Sequence, residues 1–262
     1  MPEVLVTGGT GPLGRLVVAQ LAADGHTVRV LTRRHRTSTL APLPARCTYA
    51  TGDLRNTATL VAALDGVETV VHCASDPRRG REVDVEGTSR LVESMKETGS
   101  GHLVYVSIVG VDRIPLPYYR VKEQAEQVIQ RSSIEWTVQR ATQFHSLLDG
   151  LLTGLSRFPV MPLPRRLRFQ PVEPADVARH LARRVAEGAV GRAADFGGPE
   201  VLTVEQLARS WLDARQRRRL TVPAPLPGKV GRALKAGANL CPDQTAAGTR
   251  TWQQYLDESM PS

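Results

Sequence analysis

Over its first 140 residues the chain alternates short apolar runs with longer stretches in which apolar side chains recur every three or four positions, the rhythm of strands interleaved with helices. The runs predict strands near 3–7, at Thr27–Thr32, near 47–50, at Thr69–His72, at His102–Ser107 and at Trp136–Gln139. Helices are predicted at 12–24, where Leu16, Val17, Val18 and Leu21 carry the apolar face, and near 57–64, 84–98 and 117–131. Asp24-Gly25-His26 reads as the stop of the first helix. Alternation of this kind implies an α/β fold, a doubly wound parallel sheet of Rossmann-like type. Beyond residue 150 the rhythm loosens into a proline-rich stretch from Pro159 to Pro174, helices near 174–187 and 203–215, and a Pro/Gly-rich segment around 223–231.

The first strand, Pro2 to Thr7, runs directly into Gly8-Gly9-Thr10-Gly11-Pro12-Leu13-Gly14. A G-x-x-G-x-x-G turn between a buried strand and an apolar helix is the context in which such a pattern holds a dinucleotide. The glycines have distinct roles. Gly8 allows the tight turn, Gly11 lets backbone approach a pyrophosphate, and Gly14 lets the helix pack closely on the strand. The N–H groups at the helix start then face the anion. Thr10, Pro12 and Leu13 complete this cofactor-binding turn. At about twenty residues further on, where the adenosine ribose is read, a carboxylate would select NAD. The second strand instead ends Thr32-Arg33-Arg34, and no Asp or Glu stands between Asp24 and Asp53. Two guanidiniums can grip a 2′-phosphate with charge-assisted bonds, so the expected cofactor is NADP(H). One residue of register decides which arginine makes the contact. The expected organisation is a dinucleotide-binding core over residues 1–150 and a small C-terminal, substrate-covering lobe over 151–262, packed on the same domain.

At 262 residues and 41% hydrophobic, the chain can bury one large core, or a core and a small lobe. No apolar run approaches membrane-spanning length and nothing resembles a signal peptide, which sets the expectation of a cytoplasmic protein without membrane contact. Cys47, Cys73 and Cys241 lie far apart in no ligand spacing, so neither disulfides nor a metal site is expected. The net charge of +8 is uneven: residues 1–150 carry 17 basic and 16 acidic side chains, residues 151–262 carry 17 and 10. Most of the surplus comes from Arg165, Arg166 and Arg168 and from Arg215, Arg217, Arg218 and Arg219. Lacking interleaved aromatics and any DNA-reading motif, these runs read as a solvated basic face and not a nucleic-acid surface. Arginine outnumbers lysine by 30 to 4, so each lysine invites a question. Monomer and homodimer both stay open.

One of those lysines, Lys122, follows Tyr118 by four residues in a helix expected to begin near Pro117, so the two share a helix face. An ammonium beside a phenol favours phenolate and lowers its pKa, and the hydroxyl of Ser107 can hold a carbonyl or hydroxyl of a substrate. That is the proton-handling half of a hydride transfer. The succession of Thr7-Gly8-Gly9-Thr10-Gly11-Pro12-Leu13-Gly14, Gly52-Asp53-Leu54, Val71-His72-Cys73-Ala74-Ser75 and Tyr118-x-x-x-Lys122 resembles the short-chain dehydrogenase/reductase superfamily, and within it the atypical NmrA-like, NAD(P)H-binding members. The resemblance covers residues 1 to about 150. It implies that Asp53 and Leu54 border the adenine, and that Cys73, Ala74 and Ser75 line the cofactor beside its ribose and phosphates. It also implies Tyr118 as general acid/base, Lys122 as the group that binds the nicotinamide ribose and tunes Tyr118, and Ser107 as the group that orients substrate.

After the last of these strands the chain reads Gln139-Arg140-Ala141-Thr142-Gln143-Phe144-His145, with alanine where relatives carry the proline of an Arg-Pro pair. Ligands of open parallel sheets lie outside the carboxyl ends of the strands, so Gln143 and His145 are candidate polar contacts to substrate and Phe144 a candidate wall. His72 reads as a core histidine, Asp176 as structural, and Trp211 and Trp252 as core or interface anchors. Leucines and prolines from Leu147 to Leu167 suggest an apolar rim for a hydrophobic small molecule. Three functions fit. The first is an NADP(H)-dependent oxidoreductase reducing a carbonyl or related polarised double bond; the second is a non-catalytic NADP(H)-sensing regulator. The third is an enzyme that keeps the fold but oxygenates or couples an aromatic metabolite without nicotinamide turnover.

Overall fold

The computed structural model describes residues 3–33, 42–241 and 248–259. In chain order the strands are β1 (Glu3–Thr7), β2 (Thr27–Thr32), β3 (Cys47–Thr51), β4 (Thr69–His72), β5 (His102–Ile108), β6 (Glu135–Ala141), β7 (Val160–Pro164), β8 (Arg168–Phe169), β9 (Gly191–Arg192), β10 (Leu202–Thr203) and β11 (Leu220–Ala224). The helices are α1 (Pro12–Ala23), α2 (Thr57–Leu64), α3 (Gly87–Thr98), α4 (Pro117–Gln130), α5 (His145–Leu155), α6 (Pro174–Glu187), α7 (Val204–Ala214), α8 (Gly228–Lys235) and α9 (Trp252–Glu258). The elements expected over the first 140 residues are present to within a residue or two, with one change of winding. The helix expected from residue 84 opens as a π-helical turn, Arg81–Glu86, before α3 begins. By contact the chain forms two units, each assembled from several stretches. One holds the residues up to Ser107 with Pro117–Gln139 and Val177–Ala193; the other holds Ile108–Leu116, Arg140–Asp176 and the chain from Ala194. A single cut at residue 150 treats chain order as spatial order, whereas the structure interleaves the two units.

The first unit is a seven-stranded parallel sheet, ordered β3-β2-β1-β4-β5-β6-β9, the doubly wound Rossmann-like architecture expected. At its centre Val6 of β1 lies between Val30 of β2 and Val71 of β4. Val4, Leu5 and Val6 are all fully buried, as a parallel strand covered on both faces requires. Leu5 and Leu103 of the sheet pack with Leu60 and Leu64 of α2, Leu91 and Met95 of α3 and Ile129 of α4 into one apolar cluster. This face holds the helix that carries Tyr118 and Lys122 against the sheet.

Three histidines are buried in this unit with hydroxyl or amide partners. His72 Nδ1 lies 2.5 Å from Thr7 Oγ1 and its Nε2 3.0 Å from Thr88 Oγ1. His102 meets Thr137 at 2.9 Å and His180 meets Gln139 at 2.9 Å. Burial pushes all three down, His72 to about 3 and His180 to about 4. Each is a core histidine held neutral.

The second unit buries Leu148 and Leu152 of α5, Met161 and Leu163 of β7, Leu207 and Trp211 of α7 and Trp252 and Leu256 of α9. Trp211 and Trp252 are thus core residues, as read from sequence. The proline-rich stretch hides a strand: β7 pairs in parallel with β11, Pro162 facing Val222 and Leu163 facing Pro223. A two-stranded ribbon leaves every residue an outer edge, which is where proline is tolerated. The basic run is tied down in the same unit. Arg215 binds Asp149 and the Ser259 carbonyl, Arg217 donates to Ser156 Oγ at 2.9 Å, and Arg219 to the Ser156 carbonyl at 2.9 Å. The Asp176 carboxylate accepts from the backbone N–H of Thr249 at 2.7 Å and of Arg250 at 3.2 Å, fixing the segment that precedes α9.

Two outcomes follow from these contacts. An ideal Cβ at Gly14 would lie 2.2 Å from the Gly8 carbonyl oxygen, so Gly14→Ala is expected to destabilise by about 1–3 kcal/mol of overpacking, read as a lower urea midpoint; an unchanged midpoint contradicts the close packing. The buried histidines have folded pKa values below their unfolded ones, so the unfolded chain binds protons first as pH falls. Stability is then complete above about pH 6.5 and declines on acidification toward pH 5, by about 1.4 kcal/mol per pH unit for each fully depressed histidine. Urea titrations across that window check the slope, and a flat profile contradicts it.

Candidate functional site

The turn from β1 to α1 is built around carbonyl crowding. Gly8 has φ +67°, in the left-handed region, and an added Cβ would lie 2.6 Å from the Ala74 nitrogen just past β4. Gly11 closes the turn by donating its N–H to the Gly8 carbonyl at 2.9 Å. A Cβ on Gly11 would touch only that carbonyl, at 3.2 Å, so the outer side of the turn is open for backbone approach. Gly8 and Gly14 thus meet the steric demands read from their spacing, the tight turn and the close helix packing. Helix α1 has Gly11 as its N-cap with no side-chain cap, and Pro12 occupies its first position. The N–H groups of the first turn are left for an anion. Thr10 and Pro12 are exposed on this rim, while Leu13 and Gly14 are buried beneath it.

Across the sheet, at the end of β2, Thr32 is buried and its carbonyl accepts from Gly52 N–H at 2.9 Å. Arg33 is exposed; Arg34 lies outside the described residues. The Asp53 carboxylate is gripped by Arg55, with Nη2 to Oδ2 at 2.7 Å and Nε to Oδ1 at 3.1 Å, and Arg55 reaches Glu82 at 3.3 Å. The Arg55 hydrogen bond and charge, with the more distant Arg33, hold the Asp53 carboxyl below its ordinary value. Leu54 is buried in the apolar cluster of the unit.

At the carboxyl ends of β4 and β5 the side chains of Ser75, Asp84, Tyr118 and Lys122 join in one chain of contacts. Ser75 Oγ lies 2.7 Å from the Tyr118 hydroxyl and donates to Asp84 Oδ1 at 2.7 Å. Asp84 Oδ2 accepts from Asp76 N–H at 3.1 Å, and Oδ1 lies 3.7 Å from Lys122 Nζ. Lys122, 3% exposed, also donates to the Val106 carbonyl at 3.0 Å and stands 4.2 Å over the Tyr105 ring. Burial pulls the Lys122 ammonium down, opposed by the charge of Asp84. The spacing of Tyr118 and Lys122 predicts a lowered phenol. Tyr118 is raised instead, chiefly by burial and further by Asp84, because the lysine is engaged by Asp84 and a carbonyl. Ser107, also 3% exposed, has a buried hydroxyl with no hydrogen-bond partner among the described residues, as does Tyr105. An unsatisfied buried hydroxyl is rare in a folded protein, which makes Ser107 a candidate ligand contact.

A family model described as NAD(P)H-binding matches residues 8–187. The chain belongs to this NAD(P)H-binding family. The resemblance to short-chain dehydrogenase/reductase proteins and their NmrA-like members read from the motifs is thereby borne out, together with a nicotinamide dinucleotide as cofactor. Among curated relatives of this family, an uncharacterized protein of Mycobacterium tuberculosis is 28% identical over 209 residues, covering 79% of this chain and 23% of its own length. The chain therefore spans under a quarter of that relative. The (4-alkanoyl-5-oxo-2,5-dihydrofuran-3-yl)methyl phosphate reductase of Streptomyces griseus is 31% identical over 207 residues, covering 78% of this chain and 70% of the reductase. Among solved structures, the NADPH-dependent quinone oxidoreductase of Escherichia coli complexed with NADPH has a TM-score of 0.81 at 18% identity, over 97% of this chain and 99% of the other.

Within this member of the NAD(P)H-binding family, spacing alone missed Asp84 and Arg55. Asp84 is aimed inward by the π-helical turn, fully buried. A carboxylate in an otherwise apolar register before Gly87 was the available signal. Arg55 follows Asp53 by two residues and neutralises it, a role visible only once their side chains meet. Cys73 carries a thiol pushed up to about 12 by burial, which keeps it protonated. Among the described residues none of Cys47, Cys73 and Cys241 forms a disulfide. Among the described residues no group of three or more His, Cys, Asp or Glu is placed to hold a metal ion, and no helix is long and apolar enough to cross a membrane.

Gln143, Phe144 and His145 belong to the second unit. The Gln143 side chain is buried, with neither end of its amide hydrogen-bonded among the described residues. Phe144 is the N-cap residue of α5, half-buried. His145 is fully buried, 3.3 Å from Glu173, with its ring tilted against those of Tyr255 and Trp252, and Glu173 is in turn bound by Arg250 at 2.9 Å. Its neighbours are those of a packing residue. Removing the unpaired Tyr105 hydroxyl by Tyr105→Phe is expected to leave stability unchanged or raise it by up to about 1 kcal/mol, since an unsatisfied buried group is lost while the ring under Lys122 stays. Urea unfolding of the cofactor-free protein reads the change, and a loss of stability contradicts the absence of a partner.

Proposed function

We propose that this chain is an NADP(H)-dependent oxidoreductase that reduces a carbonyl, or a related polarised double bond, of a moderately hydrophobic small molecule. The observation that carries the reading is the half-buried Tyr118 hydroxyl held by Ser75 at the carboxyl end of the sheet, with the unpartnered Ser107 hydroxyl on β5. A phenol held above its ordinary pKa stays protonated at neutral pH, which is the state a proton donor to a reduced carbonyl needs. The glycine turn and the first turn of α1 would hold the dinucleotide phosphates, and Lys122 the sugar beside the reacting ring. When bound, the nicotinamide supplies hydride. Tyr118 then gives its proton to the oxygen that gains charge, and Ser107 donates a hydrogen bond to the same oxygen. The relative named as a reductase supports this direction.

Preference for NADP(H) rests on charge at the adenosine end. Asp53 is neutralised by Arg55, and Arg33 stands exposed beside it, so a ribose phosphate meets net positive charge. Calorimetric titration with NADPH and NADH in parallel tests this directly. NADPH is expected to bind more tightly, and Arg33→Ala to weaken NADPH by about ten- to a hundred-fold while leaving NADH nearly unchanged, the loss of one charge-assisted contact. Equal affinities refute the preference. With a panel of carbonyl substrates followed by loss of NADPH absorbance, Tyr118→Phe is expected to lower turnover by about a hundred-fold or more. Turnover as fast as wild type removes Tyr118 from the chemistry, and NADPH binding without turnover of any carbonyl turns the reading toward a sensing protein.

A further inference from the structure

We propose that Asp84 is a positioning residue for Tyr118: acting through Ser75, it fixes which way the Tyr118 hydroxyl hydrogen points. The chemical meaning of that orientation rests on the reductase reading above, while the orientation itself rests on the hydrogen-bond chain alone. A carboxylate only accepts. Asp84 is 0% exposed, its Oδ2 holds the Asp76 N–H, and its Oδ1 accepts the one hydrogen of Ser75 at 2.7 Å. Ser75 has no second hydrogen to give, so at the 2.7 Å contact with Tyr118 the serine oxygen accepts and the phenol donates. The chain runs one way, from Tyr118 to Ser75 to Asp84, with Lys122 closing it from the far side at 3.7 Å. The Asp84 site is itself braced: Thr88 Oγ1 donates to the Asp84 carbonyl, and His72 Nε2 contacts Thr88.

In the resting protein the hydrogen of Tyr118 is therefore parked on Ser75. When charge builds on a substrate oxygen, the Tyr118 O–H bond breaks and the product O–H bond forms, leaving a phenolate. Ser75 is exposed, so it can turn its hydrogen from Asp84 to the phenolate and take a replacement proton from water. Asp84 recovers the contact at the end, and Lys122 balances its charge throughout. Asp84 never leaves the carboxylate state, and the proton consumed comes from solvent by way of Ser75.

The titratable groups facing this cluster are Asp84 from the π-helical turn, Tyr105 from β5, Cys73 after β4, and Tyr119, Lys122 and Glu126 from α4. His72, held neutral, lies near Lys122. Asp84 raises the phenol, and a Ser75 oxygen that accepts the phenol hydrogen favours the same protonated form.

The test needs no substrate. Tyrosinate absorbance is titrated in the cofactor-free protein and in Tyr118→Phe, and the difference isolates Tyr118. Asp84→Asn is expected to move the Tyr118 midpoint down by about one pH unit, as one nearby negative charge is removed. Ser75→Ala is expected to move it down too, because the acceptor that holds the phenol hydrogen on Tyr118 is lost. A residue with a merely structural role moves neither. Ser75 lies at the surface and its replacement leaves the apolar cluster intact, so this variant decides the matter even if Asp84→Asn fails to fold. A Ser75→Ala midpoint that is unchanged or higher overturns the proposal, since a serine that donated to the phenolate would raise it when removed, as does an Asp84→Asn midpoint that is unchanged or higher. If Tyr118→Phe retains full turnover while both downward shifts are seen, the reductase reading fails and the orientation stands.

Discussion

A lysine ammonium taken almost wholly out of water must be answered by its surroundings, and the carboxyl ends of β4 and β5 are arranged around that demand. Lys122 is met by a carboxylate, a backbone carbonyl and an aromatic face. None of the three suffices alone, because the cost of burying an unpaired charge exceeds what one contact returns. The carboxylate can reach it only because the chain before α3 winds as a π turn and places Asp84 inward. Asp84 in turn needs hydrogen-bond donors, and finds them in Ser75 and the Asp76 N–H. Thus the burial of one cation propagates, bond by bond, to the hydroxyl of Tyr118 at the surface.

The glycine turn shows the same logic applied to backbone. Gly8 is required by its left-handed φ and by the backbone of Cys73 and Ala74 against it, and Gly14 by the Gly8 carbonyl, whereas a Cβ at Gly11 would meet only that carbonyl, at 3.2 Å. The arginine excess of the chain resolves differently in the two units. In the first, Arg55 quenches Asp53 and Arg33 stands exposed just past β2. In the second, Arg215, Arg217 and Arg219 bind helix-end carbonyls, Asp149 and Ser156, so a run that looks like a polyanion surface is in large part internal scaffolding.

The sheet was legible in the sequence because each parallel strand is a continuous apolar run, and the helices because their apolar faces repeat with helical period. Tyr118, Lys122 and Ser107 were legible for the same reason: spacing on a helix and at a strand end places them. The second unit was harder to read. β7 does alternate, with Met161 and Leu163 buried and Val160 and Pro162 exposed, but its prolines disguise the alternation as a loop. α5 has leucines on both its buried and exposed sides, at 148 and 152 and at 147 and 151, so no single face stands out. Asp84, Arg55 and the engagement of Ser75 escaped because each depends on side chains meeting across the fold. The lowered phenol expected from the Tyr118 and Lys122 spacing failed on the same ground, since a partner absent from the motif holds the lysine.

The interleaving of the two units has a consequence for the order in which the molecule can be made. β9 pairs with β6, yet 49 residues separate the end of one from the start of the other, and most of them belong to the other unit. On a ribosome, the nucleotide-binding sheet emerges with β6 as a raw edge whose outward N–H and C=O groups wait for a strand not yet synthesised. The first unit is completed only after the segment from Arg140 to Asp176 has been produced and set aside. Chain order and folding order are therefore coupled, and a nascent chain stalled near its middle exposes an adhesive sheet edge that the finished protein conceals.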